Sequence, residues 1–148
     1  MKNVTLIGAS GFVGTAILNE LLNRGHKVTA IVRNPERVGV KNDNLNVVKA
    51  NVADTEAVIE ACKGKDAVIS AYNPGWTNPN IYEETLHNYP LILEGVKLSG
   101  VNRLLCVGGA GTLFCALGLR EKFLIVGNRI VTISIYYVCP IPSVSILD

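Results

Sequence analysis

The 148-residue sequence is poor in charge imbalance, in paired cysteines and in uninterrupted apolar length, and each shortage closes off a class of protein. With 14 Lys+Arg against 12 Asp+Glu the net charge is +2, and no basic run is present. That argues against a nucleic-acid grip built on phosphate neutralisation. The same small imbalance in a chain that is 49% hydrophobic rules out a disordered polymer. The cysteines, Cys62, Cys106, Cys115 and Cys139, form no CxxC pair, and His26 and His87 lie near none of them. A zinc site or redox dithiol is therefore not expected, and scattered free thiols point to the cytoplasm. The apolar run at Val4–Ile7 is too short for a signal peptide. Asn128 and Arg129 interrupt the apolar stretch 123–147, and Pro140 and Pro142 break its end, so it is not read as a membrane span of about 18 residues or more.

What remains is enough for one domain, 1–148, since a chain of this size buries about 68–70% of its unfolded surface. Charge is concentrated before residue 123; beyond Lys122 only Arg129 and Asp148 carry any. Along the first part, two periodicities alternate. Val4–Ile7 is a buried-strand run, and residues 11–24 then place Val13, Ile17 and Leu21 on one helical face with Thr15, Asn19 and Asn23 opposite. Lys27–Arg33, Leu45–Lys49, Asp66–Ala71 and Arg103–Val107 read as four more strands. Between them, Asp54 caps a helix over 55–63, and a longer helix runs from about Ile81 to Ser99 with a kink or restart expected at Pro90. Helix stops at Gly25, Gly64 and Gly100 each lead into the next apolar run. Strands alternating with helices predict an α/β fold: three layers, a Rossmann-like doubly wound parallel sheet of five to six strands with helices on both faces.

The first strand runs into Gly8-Ala9-Ser10-Gly11-Phe12-Val13-Gly14, which opens the first helix. In this GxxGxxG spacing Gly8 serves the tight turn, Gly11 lets backbone approach a pyrophosphate, and Gly14 lets helix pack on sheet. Amides at the helix start then hold phosphates, with the Ser10 hydroxyl beside them. The strand-turn-helix context makes nucleotide binding the working expectation. At the end of the second strand, where an acid would bind the ribose of NAD, stands Arg33, with Arg37 beyond it and no acid before Glu36. A guanidinium suits a 2′-phosphate, so NADP(H) is expected ahead of NAD(H).

The segments GASGFVGTAILNELLNRGHKVTAIVRNPERV, DAVISA and GVNRLLCVGGAG resemble the atypical short-chain dehydrogenase/reductase group, whose NAD(P)-binding Rossmann domains include NADH-flavin-reductase-like and epimerase/dehydratase-like members. The likeness covers about residues 2–113. It implies that Gly8, Ser10, Gly11, Phe12 and Val13 line the pyrophosphate, that Arg33 meets the adenosine ribose, and that Asn51 and Val52 flank the adenine. It also implies that Ala71 and Tyr72 lie along the nicotinamide-side ribose. The Tyr-x-x-x-Lys pair found in many short-chain dehydrogenases is missing, since none of Tyr72, Tyr82, Tyr89, Tyr136 and Tyr137 has Lys four residues on. Tyr72 and Thr112 are the only weak catalytic candidates. Absence of the pair fits hydride delivery to a flat acceptor such as a flavin or quinone, which depends on placing two rings. Tyr72, Asn73, Trp76 and Tyr82 follow the fourth strand, on the edge where open α/β sheets bind ligands, and are read either as an aromatic acceptor site or as rings packed under the loop.

Beyond Cys115 the resemblance fades. Ile130–Val138 reads as a sixth strand, with Ala116–Lys122 as a short helix before it. The tail is a shortened ending, a frame change or truncation, or a segment that pairs with a partner chain; the abrupt fall in charge favours the second, and an exposed apolar strand would promote association, as in a homo-oligomer. The expected activity is an NADP(H)-dependent oxidoreductase with a small-molecule acceptor. A non-catalytic nucleotide sensor and an epimerase or dehydratase on a sugar nucleotide are the alternatives.

Overall fold

The computed structural model describes residues 1–108 and the backbones of two later strands, 121–126 and 129–136. In chain order the first part comprises β1 (Asn3–Ile7), α1 (Phe12–Asn23), β2 (Lys27–Val32), β3 (Leu45–Lys49), α2 (Thr55–Cys62), β4 (Ala67–Ser70), α3 (Ile81–Leu98) and β5 (Leu104–Gly108). Strands β1 to β5 are parallel neighbours in the order β3-β2-β1-β4-β5. This is the doubly wound arrangement the alternation predicts.

Period-two side chains divide the interior between two layers. Leu6, Val28, Ala30 and Val32 pack with Leu18 and Leu22 of α1. Ile7 and Ile31, each one residue further along its strand, pack instead with Val58 of α2 and with Ile92 and Val96 of α3. Complete burial of each Leu or Ile contributes about 1.5–3 kcal/mol, so both faces of the sheet contribute to stability. Buried Thr5 ties β1 to the end of α2 through a 2.6 Å bond from its hydroxyl to the Ala61 carbonyl.

The helices follow their sequence signals with two differences. The carboxylate of Asp54 caps α2, accepting from the Ala57 amide at 3.1 Å. In α1, however, the most deeply buried face is Gly14, Leu18 and Leu22, one residue on from the stripe Val13, Ile17, Leu21. The contact of Gly14 with the preceding turn sets the helix's rotation, and Ile17 and Leu21 stay at the margin of the core. Nor does Pro90 divide α3, which is one helix across residues 81–98. Pro90 and Leu86, whose carbonyl loses its helical donor, are both exposed, where solvent can compensate the missing bond.

The tail departs further from expectation. β6 (Glu121–Val126) and β7 (Arg129–Tyr136) form an antiparallel pair, and β7 joins β5 antiparallel with Leu104 opposite Tyr136. Among the described residues the sheet thus has seven strands in the order β3-β2-β1-β4-β5-β7-β6, one more than the five to six expected. Glu121 and Lys122, assigned from sequence to a helix, begin a strand instead; the remainder of that helix, 116–120, lies outside the described residues. Among the described residues no helix is long and apolar enough to cross a membrane.

Candidate functional site

The sheet changes winding direction at β1, whose neighbours are β2 on one side and β4 on the other. Loops leaving the carboxyl ends of such strands form the crevice in which open α/β sheets bind ligands. Here they are the glycine turn after β1 and the segment after β4, and the two touch. Gly8 has φ +81°, and a Cβ there would lie 2.7 Å from the Ala71 carbonyl oxygen and 3.2 Å from the Tyr72 nitrogen. The turn is fastened by the Gly8 amide to the Ile31 carbonyl (3.1 Å) and by the Ala71 amide to the Ile7 carbonyl (2.9 Å).

Gly14 and Gly11 have opposite surroundings. A Cβ on Gly14 would overlap the Gly8 carbonyl oxygen and sit 2.8 Å from its carbon, so only glycine lets α1 start this close to the strand. Gly11 is exposed, and a Cβ there would meet nothing nearer than the Gly8 oxygen at 3.4 Å. Apart from that oxygen the space around Gly11 is open, so a phosphate can approach the backbone there. Gly11 is also the N-cap of α1, and no side chain caps the first-turn amides. Ser10 is half-buried next to it, and the Thr15 hydroxyl donates to the Ala9 carbonyl at 3.2 Å, stiffening the turn. Phe12, Val13 and Gly14 supply the first helical amides, and this cradle fits a dinucleotide pyrophosphate.

Around it the other expected residues fall unevenly. Arg33 follows β2 directly and is exposed, and among the described residues neither it nor Arg37 forms an ion pair. Asn51 is exposed after β3, but its side-chain oxygen accepts from the Ala53 amide at 3.0 Å, leaving its amide nitrogen as the group for a ligand. Val52 is buried in the core shared with α2 and α3. Ala71 and the Tyr72 backbone border the crevice, whereas the Tyr72 ring turns inward. Its hydroxyl accepts a 2.6 Å bond from the Asn88 amide, and its ring meets Tyr89 edge-on with centroids 5.9 Å apart. That places the Tyr72 hydroxyl in the core. Thr112 lies outside the described residues.

Asn88 and Tyr89 are the residues that sequence reasoning passed over. The Tyr89 hydroxyl reaches the Tyr72 carbonyl (3.3 Å) and the Val107 carbonyl (3.5 Å), so α3 holds the ends of both β4 and β5. The available signal was polar Asn88 four residues before Ile92, on the stripe that α3 buries. Asn88→Ala leaves a buried Tyr72 hydroxyl without its donor. The expected loss is about 1–3 kcal/mol, with a smaller added loss when Tyr72→Phe is combined with it. Urea unfolding of the two single variants and the double measures this, and strict additivity would contradict the pairing.

Cys62 and Cys106 are free thiols, pushed up to about 11 by burial; for Cys62 the Thr5 hydrogen bond and Lys65 oppose that rise. Both stay protonated at neutral pH and are poor nucleophiles there. Among the described residues no three His, Cys, Asp or Glu side chains gather as a metal site.

A glycine turn of this geometry at the switch point of a doubly wound sheet defines a dinucleotide-binding protein. More narrowly, the chain belongs to the NAD(P)H-binding family, whose model matches residues 8–123. It is 38% identical over 111 residues to the uncharacterized protein YwnB of Bacillus subtilis, covering 75% of this chain and 49% of YwnB. Among solved structures, a candidate epimerase from Bacteroides thetaiotaomicron is 58% identical with a TM-score of 0.68, covering 80% of this chain and 52% of that one. WbmH of Bordetella bronchiseptica, in complex with NAD+, is 28% identical with a TM-score of 0.60, covering 70% and 38% respectively. The chain thus spans about half the length of YwnB and of the Bacteroides protein, and less of WbmH.

Proposed function

We propose that this chain is the NADP(H)-binding part of an oxidoreductase that passes a hydride to a small flat acceptor, a flavin or quinone. Arg33 carries the reading. It is an exposed guanidinium at the end of β2, without an ion-pair partner among the described residues, where an NAD-binding protein presents an acid. The Gly8–Gly14 turn holds the pyrophosphate with backbone amides, Arg33 and Arg37 take the 2′-phosphate, and the Asn51 amide faces the adenine side. Ala71 and the Tyr72 backbone border the nicotinamide-side ribose. NADPH, when bound, supplies a hydride, and the acceptor takes it with a solvent proton, so FMN is reduced as NADPH becomes NADP+. This division of roles requires no tyrosine base, in keeping with the inward-facing Tyr72. The buried free thiols suit a cytoplasmic setting.

Likeness to the candidate epimerase favours a second reading, internal redox chemistry on a sugar nucleotide with no external acceptor. Purified protein mixed with NADPH and a panel of flavins and quinones separates the readings. Loss of absorbance at the reduced-nicotinamide band is expected. NADP(H) binding without turnover by any of them would instead mark an epimerase-like protein or a nucleotide sensor.

A further inference from the structure

Three large aromatic rings are exposed among the described residues: Phe12 at 68%, Trp76 at 86% and Tyr82 at 72%. All three stand on the two segments that leave the carboxyl ends of β1 and β4, the neighbouring strands at the switch point. The other described tyrosine rings, Tyr72 and Tyr89, form the inward pair. Exposure of single apolar residues is ordinary, but concentration of these described exposed rings on one edge of a sheet is not.

The Trp76 loop is also anchored. Pro74 is buried, the Asn73 side-chain oxygen accepts from the Gly75 amide at 2.8 Å, and the Asn78 amide donates to the Gly75 carbonyl at 3.1 Å. Gly75 has φ +119°, a conformation closed to ordinary side chains, and so turns the chain immediately before the indole. A second side-chain turn, from the Asn80 amide to the Asn78 oxygen at 2.9 Å, leads into α3. An indole brings on the order of 150–250 Å² to a contact. A fastened loop that leaves so large a ring in water presents it to something else.

We propose that Trp76 is the stacking platform for the flat acceptor and sets the preference for fused-ring over aliphatic acceptors, with Tyr82 as its neighbour at the start of α3. This rests on the acceptor reading above. Because Trp76 is the chain's one tryptophan, its emission reports on that position alone. FMN added to protein saturated with NADP+ is expected to quench that emission saturably. By equilibrium dialysis, Trp76→Ala should weaken FMN binding about tenfold and Trp76→Phe much less, as expected for loss of one stacked ring. The NADPH dissociation constant, read from NADPH fluorescence, should move less than twofold in both variants, which also shows that they are folded. Unchanged FMN affinity in Trp76→Ala, no saturable quench, or a concentration-dependent blue shift marking burial against a second copy would each overturn the assignment. If the unaltered chain oxidises NADPH with FMN and Trp76→Ala has the same KM for FMN, only this inference fails. If the unaltered chain binds NADPH but neither binds nor reduces FMN, the acceptor reading fails with it.

Discussion

Alanine at Gly14 is expected to destabilise the fold, while alanine at Gly11 is expected to leave the fold intact and abolish tight cofactor binding. The difference follows from what each new methyl would meet. At Gly14 it would overlap the Gly8 carbonyl oxygen and lie within 3.0 Å of the Ala9 Cα, both backbone atoms that no rotamer change can move. Relief requires α1 to withdraw from β1, which disturbs the packing of buried Leu18 and Leu22 on the sheet. Overpacking of this kind costs about 1–3 kcal/mol or more, and thermal unfolding should show a drop of several degrees. At Gly11 the methyl would meet only the Gly8 oxygen at 3.4 Å, a contact tolerated by a small adjustment. It would nevertheless stand where a phosphate must approach the backbone. Unfolding of Gly11→Ala should match the unaltered chain, while its NADPH dissociation constant rises by about two orders of magnitude, a loss of about 2.7 kcal/mol. Equal NADPH affinity in Gly11→Ala would move the pyrophosphate away from this turn.

The legibility of this turn in the sequence, and the opacity of the tail, have a common physical origin. Gly8 has a positive φ and Gly14 packs on the Gly8 carbonyl, both local features within seven residues, so the glycine spacing carries much of the information. The same holds for the Asp54 cap, a local contact across three residues. Rotation of α1 was displaced by one residue because the deciding contact, Gly14 against Gly8, is steric and has no hydropathy signature. The inward turn of Tyr72 depends on Asn88, sixteen residues away, and only the packing of α3 on β4 reveals it. In the tail, Gly127-Asn128 separates two β-branched runs, which is a two-residue hairpin signal. Reading Ala116–Lys122 as a helix, by extension of the alternation in the first hundred residues, obscured it. Antiparallel addition to the parallel edge is a change of rule within one sheet, and a pattern that predicts by repetition does not contain it.

Arg33→Ala is expected to weaken NADP+ binding about tenfold to a hundredfold and NAD+ binding less than threefold. The two cofactors differ by one phosphate on the adenosine ribose, so the ratio isolates that group. Hydrogen bonds to a charged partner contribute about 1.5–3 kcal/mol each, and a guanidinium offers two in parallel to a phosphate. Exposure of Arg33 reduces the figure, because solvent and salt screen the attraction. Lysine at this position keeps the charge but loses the planar fork, so Arg33→Lys should fall between the alanine variant and the unaltered chain. Raising salt from about 0.1 M to 1 M, which shortens the screening length from about 10 Å to 3 Å, should weaken NADP+ more than NAD+ in the unaltered chain and lose that selectivity in Arg33→Ala. Arg37, the second residue assigned to the 2′-phosphate, is the comparison. It also lacks an ion pair among the described residues, but lies four residues further on, at the end of the turn Pro35–Arg37. A smaller loss in Arg37→Ala than in Arg33→Ala places the phosphate at the end of β2, and the reverse order places it over the turn. Equal losses of NADP+ and NAD+ in Arg33→Ala would remove the 2′-phosphate assignment and return the chain to an NAD(P)H-binding protein without a preference.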